Sequence, residues 1–264
     1  MSGRVPPCNL IGATARMIRA YTGTYAVTPA HDGAVLGRIH AQGQLCPAVA
    51  EIEGVALRRR LGSRPMKATR LRTDRLELRP VRDEDIDRIL EYRNLREVTW
   101  WLLRTEVDPA PFRAAWRRAA ENPDDHSVAV VLDSVVIGTV SLEVVDGMGQ
   151  PGMPERTEAE LGYIFDPAYG GQGYATEAVT AMVAHAFDQL GVRRITAGCF
   201  AGNLASVRIM ENVGMRREQH GVGDSWHAAL GWVDGYTYGL LAEEWRERTA
   251  AGSDIADKGG SSKA

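Results

Sequence analysis

The twenty residues Glu160–Val179, ELGYIFDPAYGGQGYATEAV, constrain this chain more than any other stretch. They read as a strand over Glu158–Asp166 that stops at Pro167. A loop with glycine at 170, 171 and 173 follows, and then a long helix over Gly173–Leu190 that ends at Gly191. Glycines let a backbone take positive φ and let a ligand approach with no Cβ in the way. The helix behind them aims unpaired N–H groups and the positive end of its dipole into the same space. A junction of this kind is either a plain β–α turn or an anion site, and phosphate is the usual occupant of the latter. The loop lacks the Lys-Ser/Thr pair of a P-loop, and its glycines are not spaced as in the dinucleotide fingerprint. Backbone donors without those groups suit a cofactor that is held, rather than one cleaved at phosphorus.

Around this centre the chain divides by composition. Upstream of Met66 there are only three acids (Asp32, Glu51 and Glu53) against eight arginines, and no sustained apolar period. Residues 1–67 are therefore expected to be a disordered leader or a mis-assigned start, and an Arg-rich transit peptide has the same composition. A folded domain is expected over 68–248, with a disordered tail over 249–264 ending in GGSSKA. Within the domain, Leu76–Arg79 reads as a short strand, and Glu84–Arg93 as a helix capped by Asp83. Pro109–Glu121 reads as a helix with Phe112 and Trp116 on one face. Ser127–Leu132 and Val135–Val145 flank Asp133-Ser134 as a hairpin. Strands at Arg193–Phe200, Met215–His220 and Trp232–Leu241 and a helix at Leu204–Val213 complete the order. Antiparallel strands come first and one βα unit sits in the middle. A doubly wound fold would alternate throughout, so the expected class is a mixed α/β (α+β) sheet with helices on both faces.

Several function classes fall away on composition. A net charge of -3 gives no footprint for nucleic acid. No apolar run approaches the roughly 18–20 residues of a membrane helix, so a cytoplasmic protein without a membrane partner is expected. Cys8, Cys46 and Cys199 have neither metal-ligand nor disulfide spacing and are expected to be reduced thiols, with no metal bound.

Three motifs, in order, resemble the GNAT superfamily of N-acetyltransferases, specifically its RimJ/RimL-type branch: ELGYIFDPAYGGQGYATEAV, NLASVRIMENVGM and the closing YGLLAEEW. The opening RLRTDRLELRPVRDEDID agrees with them, and the resemblance spans roughly Arg70 to Arg248. It implies a twisted, mostly antiparallel sheet splayed open in the middle to admit acetyl-CoA. It also implies a loop, Gly170, Gly171, Gln172, Gly173, Tyr174, Ala175 and Thr176, that cradles the diphosphate. The family's usual Arg or Gln at the first loop position is Gly170 here, so the cradle is expected to act through backbone N–H groups alone. Tyr163, Ile164 and Phe165 would offer backbone groups to the pantetheine arm. Asn203 would contact the coenzyme and Ser206 would lie near its sulfur, although Asn is also a plain helix N-cap.

Acetyl transfer to an amine needs the amine neutral, and a lysine-like amine has a reference pKa near 10.4. A general base therefore helps. Glu160 is the candidate, with Glu158 on the same strand face, and a solvated edge without chemistry is the alternative for both. Ser206 is the first candidate to protonate the leaving thiolate and Tyr238 the second. Cys199 is not expected to act as a nucleophile. Trp100 and Trp101 are candidates to line an acceptor pocket, with Asp224–Trp232, including Trp226 and His227, as another wall. The expected function is acetyl-CoA-dependent N-acetyl transfer to a primary amine, either a protein N-terminus or a small molecule, by a chain that pairs as a homodimer. A non-catalytic acyl-CoA sensor and a succinyl-CoA-type acyltransferase are the alternatives.

Overall fold

The computed structural model describes residues 69–259; the leader expected over 1–67 lies outside them. Its strands are β1 (Leu71–Arg72), β2 (Glu77–Arg79), β3 (Val128–Leu132), β4 (Val135–Val145), β5 (Glu158–Phe165), β6 (Arg194–Phe200), β7 (Arg216–His227) and β8 (Gly231–Leu241). They form one sheet in the order β1-β2-β3-β4-β5-β6-β8-β7. Only the β5–β6 contact is parallel. The α-helices are α1 (Ile86–Arg93), α2 (Arg96–Thr99), α3 (Pro109–Glu121), α4 (Tyr174–His185), α5 (Leu204–Val213) and α6 (Ala242–Gly259). The last of these runs on through residues read from the sequence as tail.

Local chemistry explains the boundaries. Asp108 accepts the Ala110 N–H at 3.0 Å and Pro109 opens α3, where a missing N–H costs nothing. Phe112 and Trp116 then meet edge to face at 6.2 Å. Asp133 and Ser134 both take positive φ, 46° and 70°, the mirror-image turn that matches strand twist in a two-residue hairpin. Asp83 does not cap the first helix as expected, because its carboxylate pairs with Arg117 on α3. The buried Asp85 instead ties the preceding turn, accepting the Arg82 N–H at 2.7 Å and two bonds from Arg79 at 2.6 and 2.9 Å.

Each face of the sheet is covered. On one, Leu78, Val128, Val140, Leu142, Ile195 and Leu240 pack beneath residues of α4, α5 and α6, among them Val179, Met182, Met210 and Trp245. On the other, Ile86, Ile89 and Leu90 of α1 and Phe112 and Trp116 of α3 close over Ala129, Val131 and Val136.

The middle of the sheet decides where a site can exist. β5 and β6 pair at Glu158↔Arg194, Ala159↔Ile195 and Glu160↔Thr196 and then part. β5 stays with β4 as far as Phe165↔Gly138, and β6 stays with β8 as far as Phe200↔Gly235. A wedge therefore opens between Leu161–Phe165 and Ala197–Phe200, flanked by backbone that has lost its ladder partner.

Candidate active site

The glycine loop closes the wide end of the wedge. Asp166 is buried and its carboxylate accepts the Ala168 N–H at 2.9 Å, starting a short 3-10 turn over Pro167–Tyr169. The same carboxylate pairs with Arg88 of α1. A β-bulge at Ile137 on β4, skipped in the β3 register, sends its carbonyl to the Asp166 N–H at 2.9 Å. The Gly170 N–H donates to the Pro167 carbonyl at 2.9 Å, so the outward donors begin at Gly171 and not, as expected, at Gly170. Gly171 and Gly173 take φ of 73° and 80°, the left-handed region that favours glycine. Gly173 is the N-cap of α4, whose first turn leaves its N–H groups without internal acceptors. The cradle expected at Gly171, Gln172, Gly173, Tyr174, Ala175 and Thr176 thus has the geometry of an anion site, and its donors fit a diphosphate.

Far from the loop in sequence, Arg75 reaches the same place. It pairs with Glu177 of α4 at 2.6 Å, donates to the Gln172 carbonyl at 3.0 Å and lies 4.4 Å over the Tyr174 ring. No local pattern marks this residue; only the fold brings it to the cradle.

Strand alternation separates the candidate chemical groups across the wedge. Ala159, Leu161, Tyr163 and Phe165 face the α4–α5 side, where all four join the larger core. Glu160, Gly162 and Ile164 face the other side, and Ile164 packs with the α1–α3 core. Glu160 forms the last β5–β6 pair, so it stands at the apex of the split. Glu158 is buried and held by Arg193 and by Arg194, the latter at 3.3 Å. It is a structural counter-ion, not a residue on a solvated edge.

On the α5 side, the Tyr163 hydroxyl lies 2.9 Å from the Ser206 hydroxyl and donates to the Ser206 carbonyl at 3.1 Å. Burial pushes the Tyr163 hydroxyl pKa far up, against the pull of its Ser206 bond, so it stays protonated at neutral pH. Asn203 caps α5 by accepting the Ser206 N–H at 3.2 Å, which fixes Ser206 against the wedge. Burial pushes the Cys199 thiol up to about 11, which keeps it a poor nucleophile. Tyr238 is buried beneath this group and donates to Glu211 at 3.0 Å, with burial as the main cause of a pKa near 12.

Trp100 and Trp101 meet the same open end of the split from the β6 side. The Trp101 ring lies 6.5 Å from Phe200 at the tip of β6, and a Cβ on Gly202 would come within 3.0 Å of it. His227 is buried between them: its Nε2 lies 2.7 Å from the Trp100 carbonyl, and its Nδ1 accepts from the N–H groups of Ala229 and Leu230 at 3.2 and 3.3 Å. A carbonyl only accepts, so Nε2 carries the proton. Of the second expected wall, His227 joins the site. Trp226 points away, exposed, against Trp232 at 5.4 Å.

The described residues thus hold a split sheet, a glycine loop with helix N-terminal donors at its mouth, and hydroxyl and carboxylate groups on its two sides. Residues 75–216 match the description of the acetyltransferase (GNAT) domain. The uncharacterized N-acetyltransferase YnaD of Bacillus subtilis is 30% identical over 176 residues, which span 66% of this chain and 97% of that protein. The crystal structure of a GNAT-family acetyltransferase from Bacillus anthracis superposes with a TM-score of 0.56 at 26% identity, covering 67% of this chain and 100% of that one. A ribosomal L7/L12 alpha-N-protein acetyltransferase, RimL, solved in complex with coenzyme A, shares the fold with a TM-score of 0.58 at 14% identity, over 67% and 99% of the two chains. With a family description that covers more than half of it and a relative matched nearly end to end, this chain belongs to the GNAT acetyltransferase family.

Proposed function

We propose that the protein transfers an acetyl group from acetyl-CoA directly to a primary amine, on a small molecule or a protein N-terminus. The observation that carries this reading is the placement of Glu160 and the Tyr163–Ser206 pair on opposite faces of one wedge, with the anion loop at its mouth. The loop N–H groups from Gly171 to Thr176 hold the diphosphate, and the backbone groups of Tyr163, Ile164 and Phe165 that face the wedge take the pantetheine amides. Asn203 holds the helix start that lies beside the coenzyme.

In this reaction the amine nitrogen forms a bond to the thioester carbonyl carbon while the carbon–sulfur bond breaks. Glu160, directly or through one water, takes the proton the amine must lose. The departing thiolate takes a proton from the Ser206 hydroxyl, which Tyr163 holds by hydrogen bonding, and the proton that the acylated nitrogen sheds returns through water to Ser206, so the hydroxyl is restored. A free N–H of the split strand stabilises the carbonyl oxygen as charge develops on it. Trp100, Trp101, Phe200 and His227 form the aromatic border across which the acceptor enters.

An acceptor screen tests the proposal. Purified protein with acetyl-CoA is offered a panel of small amines and short peptides with free N-termini, and free thiol is measured. Acceptor-dependent thiol release is the expected result. Saturable coenzyme binding with no turnover on any acceptor would favour a sensor instead, and turnover with succinyl-CoA in preference to acetyl-CoA would reassign the donor.

A further inference from the structure

Arg75 lies in the turn between β1 and β2, nearly one hundred residues from the loop it touches. Its Nε donates to Glu177 at 2.7 Å, and its backbone N–H donates to the other oxygen of the same carboxylate at 3.1 Å. The Thr73 hydroxyl donates to Glu177 as well, and the turn is closed by the Leu76 N–H on Thr73 at 3.0 Å. Nη1 takes the Gln172 carbonyl. One side chain therefore binds both a loop carbonyl and an acid of the first helical turn.

That acid is the problem the arginine solves. Burial opposes ionisation of Glu177, but the hydrogen bonds from Thr73 and Arg75 outweigh it and hold its carboxyl below the usual carboxylate range. Glu177 is thus negative at neutral pH, and it stands at the helix end that has to receive a doubly charged diphosphate. The dipole favours a carboxylate there, but like charges in one site repel. The Gln172 carbonyl, left free to turn, would add a second negative end. Gly170 offers no side chain to offset either.

We propose that Arg75 is a positioning residue for the coenzyme. It cancels the Glu177 charge and holds the Gln172 carbonyl aside, so that the loop shows only N–H donors to the diphosphate. This inference rests on the acyl-CoA reading above. It accounts for a diphosphate loop with no cationic residue of its own: the cation comes from the opening turn of the domain and acts through Glu177.

The test measures coenzyme A affinity of the full-length protein by isothermal titration at low salt, with pantetheine, which lacks the diphosphate, as the second probe. Arg75→Gln is expected to weaken coenzyme A binding by about tenfold or more, equivalent to about 1.4 kcal/mol, and to leave pantetheine unchanged. Glu177→Gln is expected to bind coenzyme A at least as tightly as the parent. The double variant, neutral at both positions, should return to within about threefold of it. In turnover, Arg75→Gln should raise KM for the donor and spare kcat. Two results would overturn the proposal: Arg75→Gln binding coenzyme A normally, or a double variant as weak as the single one. If Arg75→Gln does not fold, Glu177→Gln alone decides, since weakened binding there contradicts charge cancellation. Failure of the parent protein to bind coenzyme A would instead strike the acyl-CoA reading itself.

Discussion

At Gly171 and Gly173 the backbone holds φ of 73° and 80°, and the two positions differ in what surrounds them. A Cβ on Gly171 would meet nothing within 4 Å, so the cost of a side chain there is conformational. Leaving the right-handed regions costs a branched residue about 1–2 kcal/mol, and Asn less because its short polar side chain tolerates the left-handed region. Gly171→Asn should therefore keep coenzyme A affinity within about threefold, while Gly171→Val loses tenfold or more at an unchanged melting temperature. Equal affinities in a titration would show that the loop is not held in this conformation when it binds. At Glu160 the expectation concerns rate. Glu160→Gln preserves shape and removes the base, so kcat should fall by about 10²–10⁴ with coenzyme affinity intact. The acidic limb of the pH–rate profile should vanish as well, and a profile identical to the parent's would remove Glu160 from the mechanism.

Among the elements, those written in local pattern were legible. The helix Pro109–Glu121, expected with Phe112 and Trp116 on one face, and the Asp133-Ser134 hairpin appear where the sequence places them. Boundaries failed where pattern was absent. β7 was expected to stop at His220 but continues to His227, because the edge strand bulges after Arg217 and again after Gly221 and exposes most of its side chains, leaving no alternation to read. In the site, the glycine loop and the Asn203–Ser206 helix start were visible because both are short and contiguous. Arg75 on Glu177 and His227 on Trp100 were not, since each pairing depends on topology and spans more than one hundred residues. A similar long-range contact sets the acid stability. His126, just before β3, and His185, at the end of α4, both approach the Thr69 hydroxyl, at 3.2 and 3.5 Å. Burial depresses both pKa values, and for His126 the neighbouring His185 adds to it. The unfolded chain then binds protons first, so stability is complete above about pH 6.5 and falls as the pH drops below it. The melting temperature should decline between pH 7 and 5, and His185→Gln should flatten that slope. Parallel slopes for parent and variant would place the titrating group elsewhere.

At the largest scale, the described domain is a sheet in two parts: β1 to β5 on one side, and β6, β8 and β7 on the other. Three residue pairs at the closed end of β5 and β6 join them, and α4 and α5 pack together over the seam. Backbone groups along Leu161–Phe165 and Ala197–Phe200 lose their ladder partner at the seam, and such groups favour a ligand that supplies amides. Coenzyme A has a diphosphate for the loop and a pantetheine arm with two amides for the wedge, so on binding it would act as the missing strand. Two consequences separate this from binding at the loop alone. Ligand that binds only the folded state stabilises it by about 2.7 kcal/mol at one hundred times Kd, so a marked rise in melting temperature is expected in either case. Hydrogen exchange discriminates between them. With coenzyme A bound, amides of 161–165 and 197–200 should slow together, while those of β3, two strands away from the wedge, keep their rates. Stabilisation accompanied by protection of only 171–176 would mean that the diphosphate is held but the arm does not enter. The wedge would then be a structural gap, and the placement of Glu160 at its apex would lose its catalytic meaning.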